Sequence, residues 1–244
     1  AGLLDMTRST ADGSPAIPGV TGADTAGGLV AAFSVVAALL SRELGTSDGE
    51  FVDVSLTDAT LSLGQALAAS ALFGGDPRPR ETVLTGRQPC YDVYACADGR
   101  YLTVAALEPK FWANLCRALD HEELVGEHMA TDPATREAVR ETLAETFATR
   151  SREDWLETLD GEDAMVGAVR TPREAYDRPA ARERGMVREP DDAPPRLGFP
   201  AVCDAPVPTA GPPDLGADTH EVLGEVGVAD GIRETLADEG VIGG

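Results

Sequence analysis

Asp24 stands in the segment Gly22-Ala23-Asp24-Thr25-Ala26-Gly27-Gly28, directly ahead of a long apolar run. An Asp at such a place caps a helix. It also lies beside the free N–H groups of a helix start, which hold an oxyanion. A carboxylate next to those donors is equipped to act as a base or as a nucleophile. Gly27 and Gly28 cost helix stability, and they let another backbone or a ligand come close. Glu108 precedes Pro109 at the end of an apolar stretch. It reads either as a solvated strand-end acid or as a second functional carboxylate. Tyr91, two residues after Pro89, is either a core aromatic or the wall of a pocket. There is no Gly-rich phosphate loop and no Ser/His/Asp order. His121, His128 and His220 are too dispersed for a zinc site. Cys90, Cys96, Cys116 and Cys203 form no CxxC pair and read as buried, reduced thiols.

These residues need elements to position them. Residues 1–23 are punctuated by Gly and Pro and read as loop. A helix is expected from Asp24 to about Leu44, apolar nearly all round and therefore buried. Residues 50–55 alternate and are β-branched, which predicts a strand. A second apolar helix follows over 57–73. Tyr91–Cys96 and Tyr101–Ala106 predict a hairpin, with Asp98-Gly99 supplying the positive φ of its turn. Helices are expected over 110–119, 133–149 and 152–159, the last capped by Ser151, then a short strand at 166–169. Residues 172–215 lack a clean period and read as a return linker. Two helices, 219–226 and 229–239, close the chain. The fold class is α/β, a helix–strand–helix piece followed by a smaller α+β unit.

Composition narrows the class. The chain has 244 residues, 43% of them hydrophobic, enough for a packed core. Its net charge is −22, with 42 acidic residues against 20 basic ones. A nucleic-acid binder needs a basic face, so that class is disfavoured. Lys110 is the only lysine. Dispersed acid with almost no lysine matches a salt-adapted cytoplasmic protein. The longest strongly apolar stretch, Leu29 to Leu40, falls short of a membrane span of roughly 20 residues. No signal peptide is expected, and the missing initiator Met suggests that the chain begins inside a longer protein.

Several motifs together resemble the family III CoA-transferases. Asp24-Thr25-Ala26-Gly27-Gly28, Arg42, and Asp48 through Leu56 look like the central block of that family. Pro89-Cys90-Tyr91-Asp92-Val93-Tyr94, Ala97 through Tyr101, and Ala106-Leu107-Glu108-Pro109-Lys110-Phe111 look like its 2-methylacyl-CoA racemase branch. Gly216 through Leu223 resembles the start of the terminal helix. The likeness runs in order along essentially the whole chain.

The resemblance implies a partial family III fold. Residues 1–75 would be the C-terminal part of a Rossmann-like, CoA-binding large domain, and 76–90 a linker. Residues 91–171 would be the small α+β domain, 172–215 a return linker and 216–244 terminal helices. The substrate would be an acyl-CoA thioester, with no cofactor beyond the CoA it carries. Asp24 and Glu108 would be catalytic, and Tyr91, Leu107, Gly27 and Gly28 would contact substrate. In the racemases the Asp pairs with a His that would fall a few residues before Ala1. The two bases remove and return the C2 proton through an enolate, and the Glu orients the His. In the transferases the same Asp forms an acyl anhydride and then an aspartyl-CoA thioester. Asp24 by itself does not separate the two; the Glu108 block favours the racemase. A chain that folds but binds no CoA is a third alternative. Ala26 in place of a common Gly, and Met165 through Val169 without the usual proline, depart from the pattern. Family members form interlocked homodimers, which would combine Asp24 of one chain with Glu108 of another.

Overall fold

The computed structural model describes residues 2–10, 12–190, 194–201 and 213–242. Cys203 lies outside them. The chain divides into two compact units, residues 1–169 and 170–244.

The first unit opens on α1 (Gly22–Glu43), followed by α2 (Leu56–Leu63) and α3 (Gln65–Leu72). Ser55 caps α2 by accepting the Asp58 N–H at 3.2 Å. α1 packs against α2, and Gly27 makes this close approach available. Gly27 is buried, and a Cβ there would run into the Leu56 side chain. Replacing Gly27 with Val therefore overpacks the contact. It should lower stability by about 1–3 kcal/mol, and Leu56→Ala should relieve most of that loss. Urea unfolding of the two single variants and the double variant measures the coupling.

Five expectations in this region need correction. Asp24 is not the cap of α1: Thr21 holds that position, and Asp24 is the third residue of the helix. Only Ala26 and Gly27 of α1 are buried, although the sequence pattern reads as a helix covered on all sides. Phe33 is 77% exposed. α1 also contains an 18-residue window of mean hydropathy 1.8, because small Gly, Ala and Ser residues prolong the apolar run. By length and composition it is long enough to cross a membrane, contrary to the shorter stretch read from sequence; a helix packed inside a protein meets the same criterion. Residues 50–55 form no ladder. A strand exists through its hydrogen-bonded neighbour, and among the described residues none lies alongside. The expected 57–73 helix breaks at Gly64, whose backbone (φ −82°, ψ 15°) leaves the helical region.

The remainder of this unit is built on a hairpin. β1 (Tyr91–Ala95) and β2 (Tyr101–Ala105) are antiparallel, with Tyr91 opposite Ala105 and Val93 opposite Thr103. Gly99 supplies the positive φ of the turn, 74°. β3 (Val166–Ala168) pairs with β2. The period of two sends Tyr94, Leu102 and Val104 into the core. α4 (Pro109–Ala118), α5 (Pro133–Phe147) and α6 (Arg152–Thr158) supply the rest of that core. Trp112, Leu115, Leu143, Phe147 and Trp155 are buried there. Both indoles satisfy their N–H: Trp112 donates to the Leu124 carbonyl and Trp155 to the Phe147 carbonyl, each at 2.9 Å. Local chemistry starts the helices. Pro109 and Pro133 open α4 and α5, and Ser151 with Asp154 forms a capping box for α6.

The same core holds the thiols. Burial pushes Cys90 up to about 11 and Cys116 to about 12, and it raises Cys96 as well. A thiol whose folded pKa is raised gives stability that is complete below its unfolded value. That stability is lost as pH climbs from 9.0 towards 11 for Cys90. Native protein at pH 8 should leave Cys90, Cys96 and Cys116 unmodified by a thiol reagent, with labelling only after denaturation. Mass spectrometry of the labelled peptides reads this directly.

In the second unit, the described part of the expected 172–215 linker holds short helices and strands. α7 (Pro172–Tyr176) and α8 (Pro179–Glu183) each begin at a proline. β4 (Val187–Arg188) pairs with β5 (Arg196–Leu197). Thr171 and Glu174 form a capping box on α7. These elements are shorter than the window in which a hydrophobic period shows. α9 (Thr219–Glu225) and α10 (Asp230–Asp238) close the chain.

Candidate active site

Asp24 lies exposed in the first turn of α1, and among the described residues its side chain has no hydrogen-bond partner. The first intrahelical bond runs from the Thr25 N–H to the Thr21 carbonyl at 3.0 Å. The N–H groups of Gly22, Ala23 and Asp24 therefore precede the ladder and stay open to an acceptor. A carboxylate and a set of free donors share one helix end, which suits proton transfer at the carbon next to a carbonyl, or acyl transfer at the carbonyl carbon itself. The two glycines behave differently. Gly27 is occupied by its contact with Leu56, whereas a Cβ on Gly28 would meet only open space.

Glu108 is the N-cap residue of α4, with extended backbone (φ −82°, ψ 139°) and no side-chain cap bond. Its carbonyl accepts the Trp112 N–H at 3.1 Å, so the backbone is fixed while the carboxylate is exposed. Leu107 packs against the core beside it. Ala106 is held from two sides: its N–H donates to the Cys90 carbonyl at 2.8 Å, and its carbonyl lies 3.2 Å from His128 Nε2. His128 in turn stacks on Trp112 with ring centroids 5.9 Å apart. The segment that presents Glu108 is thus anchored by its neighbours.

Tyr91 begins β1 and lines a cleft of about 510 Å³ together with Arg80, Leu84, Thr85 and Thr103. Leu107 and Glu108 lie on the β2–α4 connection, and Asp24, Gly27 and Gly28 lie on α1. Among the described residues no hydrogen bond or ion pair joins Asp24 to Glu108, and neither carboxylate lines the Tyr91 cleft.

One charged cluster escaped the sequence reading. Asp92 has a nearly buried side chain, 8% exposed. Its oxygens accept from Arg80 Nη1 at 2.9 Å and Arg80 Nη2 at 2.8 Å. They also accept from Arg140 Nη1 on α5 and from the Val93 N–H at 2.9 Å. Arg140 further donates to the carbonyls of Gly86 and Arg87. Burial, and then the neighbouring Arg80 charge, lower the Arg140 pKa. Gly86 has φ 83°, and a Cβ there would lie 2.8 Å from Arg80 Nη1. The loop before β1 is therefore shaped around this ion cluster. One signal was present in the sequence: in the alternation of β1, Asp92 falls on the core side with Tyr94, where an acid requires a cationic partner.

Comparison with known proteins places these features in one family. The alpha-methylacyl-CoA racemase of Mus musculus is 32% identical over 207 residues, covering 82% of this chain and 53% of the relative. The succinyl-CoA:mesaconate CoA-transferase of Haloarcula hispanica is 26% identical over 247 residues, 98% of this chain and 61% of the relative. The chain thus spans about half the length of the racemases it matches. Among solved structures, a CAIB/BAIF family protein from Brucella suis superposes with TM-score 0.71 at 25% identity, covering 92% of this chain and 60% of that one. A mutant of Rv3272 from Mycobacterium tuberculosis gives TM-score 0.72 at 23% identity, over 91% of this chain and 59% of that one, which supports the fold. The model of CoA-transferase family III matches residues 1–219, from the segment ahead of Asp24 to the start of α9; the chain belongs to CoA-transferase family III.

Proposed function

We propose that the chain is part of an acyl-CoA racemase or epimerase that inverts a 2-methyl-branched thioester through an enolate. The observation that carries this reading is the fixed presentation of Glu108 at the start of α4, in a chain whose identity to a racemase reaches 32%. Asp24 acts as one base at C2, and the free N–H groups at the start of α1 stabilise the enolate oxygen. A second base on the opposite face completes inversion, with Glu108 acting to orient it. Tyr91, Leu107 and Gly28 contact the substrate. Asp24 and Glu108 come together from two chains of a homodimer. The protein is salt-adapted and cytoplasmic, with α1 as a packed helix. An enantiopure 2-methylacyl-CoA incubated with the enzyme should turn into a mixture of both C2 epimers, read by chiral chromatography. A starting isomer that stays pure while its CoA moves to another acid would overturn the proposal.

The second reading is a CoA-transferase, favoured by the match to the Haloarcula enzyme over 98% of the chain. It expects a hydroxylamine-sensitive CoA adduct on Asp24, visible in the mass of the Asp24 peptide.

A further inference from the structure

The connection that carries Glu108 from β2 to α4 is three residues long, 106–108, and few bonds hold it. Ala106 is buried, and its N–H donates to the Cys90 carbonyl at 2.8 Å. The Glu108 carbonyl accepts the Trp112 N–H at 3.1 Å. Pro109 follows and has no N–H to offer. The remaining bond comes from a side chain: His128 Nε2 lies 3.2 Å from the Ala106 carbonyl. A carbonyl only accepts, so Nε2 carries the hydrogen. Among the described residues the exposed Glu108 carboxylate has no partner, so its place depends on the backbone beneath it. His128 is itself firmly held. It is half-buried and ends the 3-10 turn Glu122–Glu127. Its ring stacks on Trp112 with an interplanar angle of 27°. That indole is 1% exposed and donates its N–H to the Leu124 carbonyl of the same turn. Met129, next in the chain, packs on the core, and the Cys90 thiol donates to its sulfur at 3.7 Å. Trp112 therefore sets the imidazole at a fixed place relative to the first turn of α4. A stack accepts any flat ring, whereas the bond to Ala106 needs an N–H at one position.

We infer that His128 is a positioning residue: through the Ala106 carbonyl it fixes the backbone that presents the Glu108 carboxylate. This role rests on that of Glu108 in the proposed reaction, and His128 acts through Ala106 rather than on the substrate. Glu108 stands two residues beyond Ala106, roughly 7 Å of extended chain, so a small rotation of the Ala106 peptide is carried into a shift of the carboxylate. A misplacement of about 1 Å at a reacting centre costs up to about a hundredfold in rate.

Two substitutions divide the two contacts of His128. His128→Phe keeps a ring on Trp112 and loses the N–H. His128→Gln loses the ring and places an amide N–H at a similar reach. Both should melt a few degrees below wild type, since each gives up one contact. In the full-length enzyme acting on a 2-methylacyl-CoA, His128→Phe should lower kcat about tenfold with KM little changed, and His128→Gln should restore most of it. A residue that only packs would give the reverse order, because Phe fills the space over Trp112 better than Gln. Hydrogen exchange adds a readout that needs no turnover. Amides of the peptide 104–112 should exchange about tenfold faster in His128→Phe than in wild type, and near the wild-type rate in His128→Gln. A kcat in His128→Phe equal to or above that of His128→Gln, or exchange that does not distinguish the two, overturns the positioning role. A wild-type enzyme that moves CoA without exchanging C2 defeats the racemase reading instead, and the same two variants are then compared on the rate of transfer.

Discussion

Asp24→Asn should reduce C2 proton exchange by about a thousandfold, within the range a positioned acid–base group contributes, while leaving the fold intact. The two halves of this expectation rest on different facts. Asp24 is exposed, it is not the N-cap of α1, and among the described residues its side chain has no hydrogen-bond partner. Its contribution to stability is confined to the favourable placement of a negative charge in the first turn of a helix, at most about 1 kcal/mol. Asparagine has the same shape and still accepts and donates hydrogen bonds, but it does not remove a proton from carbon. A structural carboxylate would show the opposite pattern, with lower stability and activity falling only in proportion to unfolded protein. The comparison needs the melting temperature and the exchange rate of the same preparation. A variant that melts normally and exchanges normally would remove Asp24 from the chemistry.

The largest loss of stability is expected at Asp92. Removing the carboxylate by Asp92→Ala leaves Arg80 and Arg140 facing each other across a nearly buried site. Deleting one partner of such a cluster costs about 3–5 kcal/mol, mostly because the remaining charge is uncompensated. Asp92→Asn should be milder, since the amide oxygen still accepts from one guanidinium. The triple change Asp92→Ala, Arg80→Met, Arg140→Met should recover much of the loss, as apolar side chains of similar size need no partner. Urea midpoints of the four proteins order these effects. If Asp92→Ala costs under about 1 kcal/mol, the cluster is a surface ion pair in energetic terms, and its role in shaping the loop before β1 falls away.

What was legible in the sequence was what local chemistry decides. The Asp98-Gly99 turn, the Ser151 cap and the prolines at the starts of α4 and α5 depend on neighbouring residues alone, and the structure places the expected hairpin and helices there. Tyr94, Leu102 and Val104 took the core face that their alternation required. The errors came from interactions between distant parts of a chain. Residues 50–55 have the composition of a strand, yet a strand is a relation between two segments and the sequence window contains only one. The buried reading of α1 presumed a covering layer that the described residues do not provide. Gly27 was grouped with Gly28 because they are adjacent, but only its contact with Leu56 separates a packing glycine from an open one. The Arg80–Asp92–Arg140 cluster spans residues 12 and 48 positions apart, so no periodicity announces it. Of the candidate site, the positions of Asp24 and Glu108 at helix starts could be read from sequence, with Asp24 displaced from cap to first turn.

A racemase breaks a C–H bond at C2 of its thioester, whereas a CoA-transferase only moves CoA. Incubation of a 2-methylacyl-CoA in deuterium oxide, followed by mass spectrometry of the recovered thioester, separates the two most directly. One deuterium should appear at C2 with wild-type enzyme and be lost with Asp24→Asn. A thioester recovered without deuterium, from any 2-methyl-branched substrate, would contradict the account.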